Sequence, residues 1–182
     1  MIRSTLWALA GLVLGGIVHI AVILALPVLT GGGVWAQMTA LGALNKPVVL
    51  PAVTAGAPNP LQLDPELAYA VCQIDLRAGP GVVAGTLPQA FWSVAVYNRA
   101  GIALYSTTNR DGIGQMIDLG LFNAAQTRLL AEQKLDIAEG LLIVESAADD
   151  VYVVIRLAPP HAAMRARYEA QLRNLTCGNI PS

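Results

Sequence analysis

The stretch FWSVAVYNRAGIALYSTTNRD, residues 91–111, decides how this chain is built. Phe91 to Tyr97 and Ile102 to Thr107 are rich in aromatic and β-branched residues, the composition of strands. Between them, Asn98-Arg99-Ala100-Gly101 supplies turn chemistry, with a glycine where the backbone needs positive φ. A hairpin of two strands is predicted. It ends in Asn109, Arg110 and Asp111, a small polar group on an otherwise apolar protein. An arginine there can hold a carboxylate bidentately and an aspartate can act as a base, which would make a site for a small acid. Asn, Asp and Gly after a strand are also ordinary turn residues whose side chains satisfy nearby backbone donors, and that reading is the more economical.

Further strands extend the hairpin into a sheet. Residues 68–76, AYAVCQIDL, alternate, with Ala70, Cys72, Ile74 and Leu76 on one face and Val71, Gln73 and Asp75 on the other. Asp75 could pair with Arg77 or Arg110 as a structural ion pair, or join Asn109, Arg110 and Asp111 in a ligand site. Gln115 to Leu121 reads as a fourth strand, and Ala124 to Glu132 as a short helix capped by Asn123. Leu141 to Ser146 and Val151 to Leu157 read as a second hairpin. A terminal helix follows Pro159-Pro160, with Met164, Tyr168, Leu172 and Leu175 on one stripe and Gly178 as its stop. Hairpin links predict an α+β fold: a small, mainly antiparallel β domain over residues 64–182 with a C-terminal helix.

The N-terminal part is of another kind. No residue from Leu6 to Leu29 carries a fixed charge, and His19 is the one titratable side chain between Ser4 and Asn45. A helix over that run would be about 36 Å long, enough to cross a hydrocarbon core of about 30 Å. The length exceeds the apolar region of a cleaved secretory signal, so residues 1–29 read as a retained transmembrane anchor. Arg3 places the N-terminus in the cytoplasm by the positive-inside rule, and the domain in the periplasm of an inner-membrane protein. Gly11 and Gly15 form a G-xxx-G pair that lets a second helix approach closely, and His19 lies on the same stripe; a monomeric anchor also tolerates all three. Residues 30–63 hold four prolines and five glycines, with Lys46 as their one charge, and read as a tether or a strip lying along the domain. Within them, Val34, Met38 and Leu41 suit a short amphipathic turn.

Several function classes are excluded. All 12 acidic and 9 of the 11 basic residues lie between Leu61 and Ser182 with no basic run, which disfavours nucleic acid as a partner. The letters Gly79-Pro80-Gly81-Val82-Val83-Ala84 satisfy the dinucleotide fingerprint, but Gly85 to Pro88 cannot open the helix it requires, so the segment reads as a loop. With two histidines, His19 and His161, and no metal or nucleophile motif, no metal or cofactor is expected. Cys72 and Cys177 both fall in the exported part, where an oxidising compartment favours a disulfide over two buried thiols.

The long uncharged helix, DPELAYAVCQIDLRAGPGVV (residues 64–83) and the hairpin of residues 91–111 together resemble the short membrane-anchored members of the bacterial family called domain-of-unknown-function 1254 (DUF1254). The resemblance rests on Cys72-x-x-Asp75-Leu76 with Gly79-Pro80, and on Trp92-Ser93 with Asn109-Arg110-Asp111. It implies a largely β-sheet domain similar to the N-terminal half of larger proteins that carry a companion domain, numbered 1214. It also implies a membrane-protein partner bearing that companion; the packing residues Gly11, Gly15 and His19 leave a homo-oligomer as the alternative. It brings no reaction and no catalytic residue with it.

Overall fold

A computed structural model describes residues 2–110, 115–132 and 140–180, the side chains of residues 27, 28 and 30–32 apart. It opens with a helix, α1 (Ile2–Ala40), of 39 residues, about 58 Å at a rise of 1.5 Å per residue. Its first 25 residues, Ile2–Leu26, are wholly exposed, and the run is long and apolar enough to cross a membrane. The expected break after Leu29 does not occur. The helix continues past its glycines because its last turns are packed: Met38 is buried and Trp35 lies against Tyr152, with ring centroids 5.6 Å apart. Tertiary packing of this kind outweighs local propensity. The stop is Gly42, at φ 63°, whose N–H bonds the Thr39 carbonyl. The amphipathic side foreseen at Val34, Met38 and Leu41 therefore belongs to α1 and its exit, and rests on the domain.

Among the described residues nine strands follow: β1 (Val48–Val49), β2 (Ala68–Asp75), β3 (Gly81–Thr86), β4 (Trp92–Asn98), β5 (Ala103–Thr108), β6 (Met116–Asn123), β7 (Leu142–Ser146), β8 (Asp150–Leu157) and β9 (Thr176–Asn179). They form two sheets, β1-β2-β8-β4-β5 and β7-β6-β3-β9, antiparallel except for the β6–β7 pair. Helices α2 (Ala124–Glu132) and α3 (Arg165–Arg173) complete the domain.

The β4–β5 hairpin forms as its sequence demands. Asn98 Oδ1 accepts the backbone N–H groups of Ala100 and Ile102, both at 3.0 Å, and Gly101 sits at φ 77°. At α2, Asn123 Oδ1 accepts the Gln126 N–H while Gln126 Oε1 accepts that of Asn123, a reciprocal capping box.

Other expectations are corrected. β7 and β8 are no hairpin: β7 runs parallel to β6 in one sheet, whereas β8 lies between β2 and β4 in the other. The turn at 147–149 is a crossover between sheets, held by Ser146 Oγ, which donates to the Ala148 carbonyl and accepts its N–H. Residues 81–86 are no loop but β3, paired on both sides, by β6 and β9. Gly178 does not stop α3, which ends at Arg173 with Asn174 as its cap; Gly178 lies in β9, opposite Val82.

The sheets stack face to face. Alternation sends Ala68, Ala70, Cys72 and Ile74 of β2 inward, where they meet Val83, Ile117, Leu119 and Leu121 of the facing sheet, and Tyr168 and Leu172 of α3. Each such side chain, Ala and Cys apart, contributes about 1.5–3 kcal/mol on leaving water. A disulfide from Cys72 to Cys177, with Cα atoms 6.5 Å apart, joins β2 of one sheet to β9 of the other. The outer face of the five-stranded sheet is covered as well. Tyr69, Val71 and Tyr152 pack there under Met38, Ala43 and Leu50. Residues 41–67 are thus a strip along the domain rather than a free tether. Backbone bonds of 2.9 Å from Gln73 to Ala43, Asn45 to Gln73 and Leu50 to Tyr69 fix it.

Candidate functional site

The polar residues singled out by the sequence do not meet. Asp75 ends β2, directly opposite Asp150 of β8. Two carboxylates so placed repel, and Arg77 lies between them: its Nε donates to Asp75 Oδ1 at 2.8 Å and its Nη2 donates to Asp150. The side-chain bond from Arg77, followed by that from its backbone N–H, holds the Asp75 carboxyl below the ordinary aspartate range. Asp75 also accepts that N–H at 3.0 Å as the cap of the turn Leu76–Ala78. Its work is structural.

Asn109 and Arg110 follow β5 at the opposite edge of the sheet. The Asn109 N–H extends the ladder to the Trp92 carbonyl at 3.2 Å, and the Arg110 N–H bonds Thr108 Oγ1 at 3.3 Å, a local turn. Trp92 shares a row with Leu157 and Ala68, seven residues along β2 from Asp75. That is about 24 Å, with β8 and β4 intervening. Asp111 lies outside the described residues. A small-acid pocket built on Asp75, Asn109 and Arg110 is therefore not formed.

The remaining candidates are quickly placed. Gly11, Gly15 and His19 lie on the exposed apolar part of α1, and a Cβ added at either glycine would meet nothing within 4 Å. Nothing inside the chain requires those glycines to be small. His161 caps a short turn, Ala162–Met164, without a side-chain cap bond. The Gly79 to Ala84 segment offers no helix N-terminus to a phosphate, since it runs into β3. Among the described residues, no three His, Cys, Asp or Glu side chains gather as a metal site would require.

A concavity with mixed chemistry lies elsewhere, where α1 meets the domain. Its floor is the outer face of the five-stranded sheet, with Tyr69 and Val71 from β2, Tyr97 from β4, and Tyr152, Val154 and Arg156 from β8. Val34 and Met38 of α1 form one wall, and Leu50 and Leu61 to Leu63 of the strip form the other, around a volume of about 350 Å³. The side chains converge because odd residues of β2 and even residues of β8 share that face by register. Tyr97 and Tyr152 stack at 5.3 Å, and the Arg99 guanidinium lies 5.8 Å from the Trp35 ring. Arg156 Nη2 donates to the Tyr97 hydroxyl at 2.9 Å. Burial, and then the neighbouring Tyr97, push the Tyr152 phenol up, so it keeps its proton at neutral pH. Sequence reasoning missed this groove because its wall and floor come from segments far apart in the chain. The signal available was the alternation in Tyr152-Val153-Val154-Ile155-Arg156, which puts a tyrosine and an arginine on one face.

Two stacked, mainly antiparallel sheets behind one long apolar helix define an α+β protein, a class that carries no single activity. No family model matches the chain, and no curated protein matches it. Its fold is similar to that of the VPA0106 protein from Vibrio parahaemolyticus, with a TM-score of 0.55 at 8% identity over 85% of this chain and 37% of that one. A protein from Burkholderia cenocepacia described as uncharacterized matches with a TM-score of 0.46 at 12% identity, over 75% of this chain and 35% of its own. The chain spans little more than a third of either protein.

Proposed function

We propose that the protein is a single-pass inner-membrane assembly module whose periplasmic domain is held at a set angle to its span. The observation that carries this reading is the unbroken helix α1, which contains the apolar run Ile2–Leu26 and also packs through Trp35 and Met38 onto the sheet. A mobile receptor or hydrolase is served by a flexible tether. Because the span and the docked turns belong to one helix, a helix packed on the span would bear on the position of the domain. The exposed Gly11 and Gly15 offer that helix a close approach, with His19 nearby to meet a polar group.

Membership of the family called domain-of-unknown-function 1254, with a partner carrying the companion domain 1214 or a second copy of the chain, fits this reading. The Cys72–Cys177 bond fits an oxidising compartment. The test is Gly15→Leu in the full-length protein, extracted in mild detergent. The variant should give a species of lower mass than the wild type; an unchanged mass refutes helix packing through the glycines.

A further inference from the structure

We infer that the groove between α1 and the five-stranded sheet binds a single acyl chain with an anionic head group, drawn from the bilayer. The inference rests on the membrane anchor for the source of the ligand, and on the groove for its chemistry. The head-group end is built. Arg156 donates one of its five N–H groups to the Tyr97 hydroxyl, and because that oxygen accepts, its own proton is free to point outward. A guanidinium and a phenol thus present donors toward one place, the pattern that recognises a carboxylate or phosphate oxygen. Among the described residues no carboxylate pairs with Arg156. The acids at the end of this sheet, Asp75 and Asp150, are bound by Arg77, and Asp64, beside the strip wall, accepts the Glu66 N–H at 2.8 Å. Arg99, over Trp35, adds a second positive charge at the groove's α1 side.

Much of the remaining lining is apolar. Val34, Met38, Leu61, Val71 and Val154 form it, and about 350 Å³ lies at the small end of the range of ligand pockets, room for one chain rather than two. The source follows from position. Val34 is eight residues beyond Leu26, about 12 Å along the same helix, so the groove opens within reach of the headgroup layer. A cationic ligand is disfavoured by the two arginines, and an uncharged one would leave the Arg156 donors unused.

The experiment uses the full-length protein in phosphatidylcholine nanodiscs and a 16-carbon fatty acid bearing a diazirine on its chain. Irradiation and peptide mass analysis should place adducts around Val34, Met38 and Leu61. Arg156→Gln should weaken labelling about tenfold or more, the loss of a charge-assisted bond. Palmitate should compete at least about tenfold better than hexadecanol. Leu61→Trp, which fills the groove from its strip wall, should abolish groove adducts and serves if Arg156→Gln does not fold. Adducts confined to residues 2–26, or groove adducts indifferent to both the Arg156 charge and the hexadecanol comparison, overturn the inference. Release of the protein from membranes by carbonate would sink the anchor alone, and labelling of the released chain would then decide the groove.

Discussion

Removing the disulfide offers the sharpest arithmetic. Cys72 and Cys177 are 105 residues apart in sequence, both buried, and join the two sheets of the sandwich. In the chain-entropy model a loop of that length restricts the unfolded chain by about 4.7 kcal/mol, and loss of native bonds in small exported domains costs about 2–5 kcal/mol. For a domain of roughly 140 residues, each kcal/mol moves the midpoint by about 3–4 °C, so Cys72→Ala/Cys177→Ala should lower Tm by roughly 6–20 °C. Thermal unfolding followed by near-ultraviolet circular dichroism, on the full-length protein in detergent, reads the domain selectively because the micelle holds the apolar helix. Dithiothreitol should lower the wild-type Tm and leave the variant unchanged. A wild-type Tm insensitive to reductant, or two thiols titrating in denatured protein never exposed to reductant, refutes the reasoning.

Three further outcomes are expected. Trp35→Ala removes the ring contact to Tyr152 and the Arg99 contact, and should cost about 1–2 kcal/mol in urea unfolding while speeding proteolysis near residue 40; unchanged stability means the end of α1 is not docked. Gly85→Ala puts a Cβ 2.6 Å from Leu175 Cδ2 at φ 150°, and should destabilise by about 1–3 kcal/mol; a neutral result in the same assay denies β3 its place against Leu175. The raised Tyr152 phenol gives stability that is full below the unfolded-state pKa of about 10 and lost as pH rises through the folded value. Tyr152→Phe should therefore flatten the alkaline fall in the urea midpoint, and parallel profiles for the two proteins would count against burial of that phenol.

The parts legible in the sequence are those set by local chemistry. The 3.6- and 2-residue periods, the Asn98 to Gly101 turn and the Asn123 cap all act within a few residues, and the apolar length of the N-terminal helix needs no partner. Pairing between distant segments was not legible. β3 begins and nearly ends in glycine, at Gly81 and Gly85, and is flanked by Pro80 and Pro88, so propensity favours a loop, yet bonding from β6 and β9 on both sides makes it a central strand. The proximity of β7 and β8 in sequence suggests a hairpin, but the inward faces of Val144 and Val153 suit opposite sheets. Whether Asp75 and Arg110 could share one site was not legible for the same reason. Asp75 and Arg110 look alike as polar strand-end residues, and only the register, which sets them about 24 Å apart along the sheet, shows that they serve separate turns.

Assembly is tested most directly by affinity purification of the full-length protein from its native membrane in mild detergent, followed by mass determination of the intact complex. A stoichiometric second protein, or a defined multiple of the 19.1 kDa chain, is the predicted result. A homogeneous monomer would contradict it.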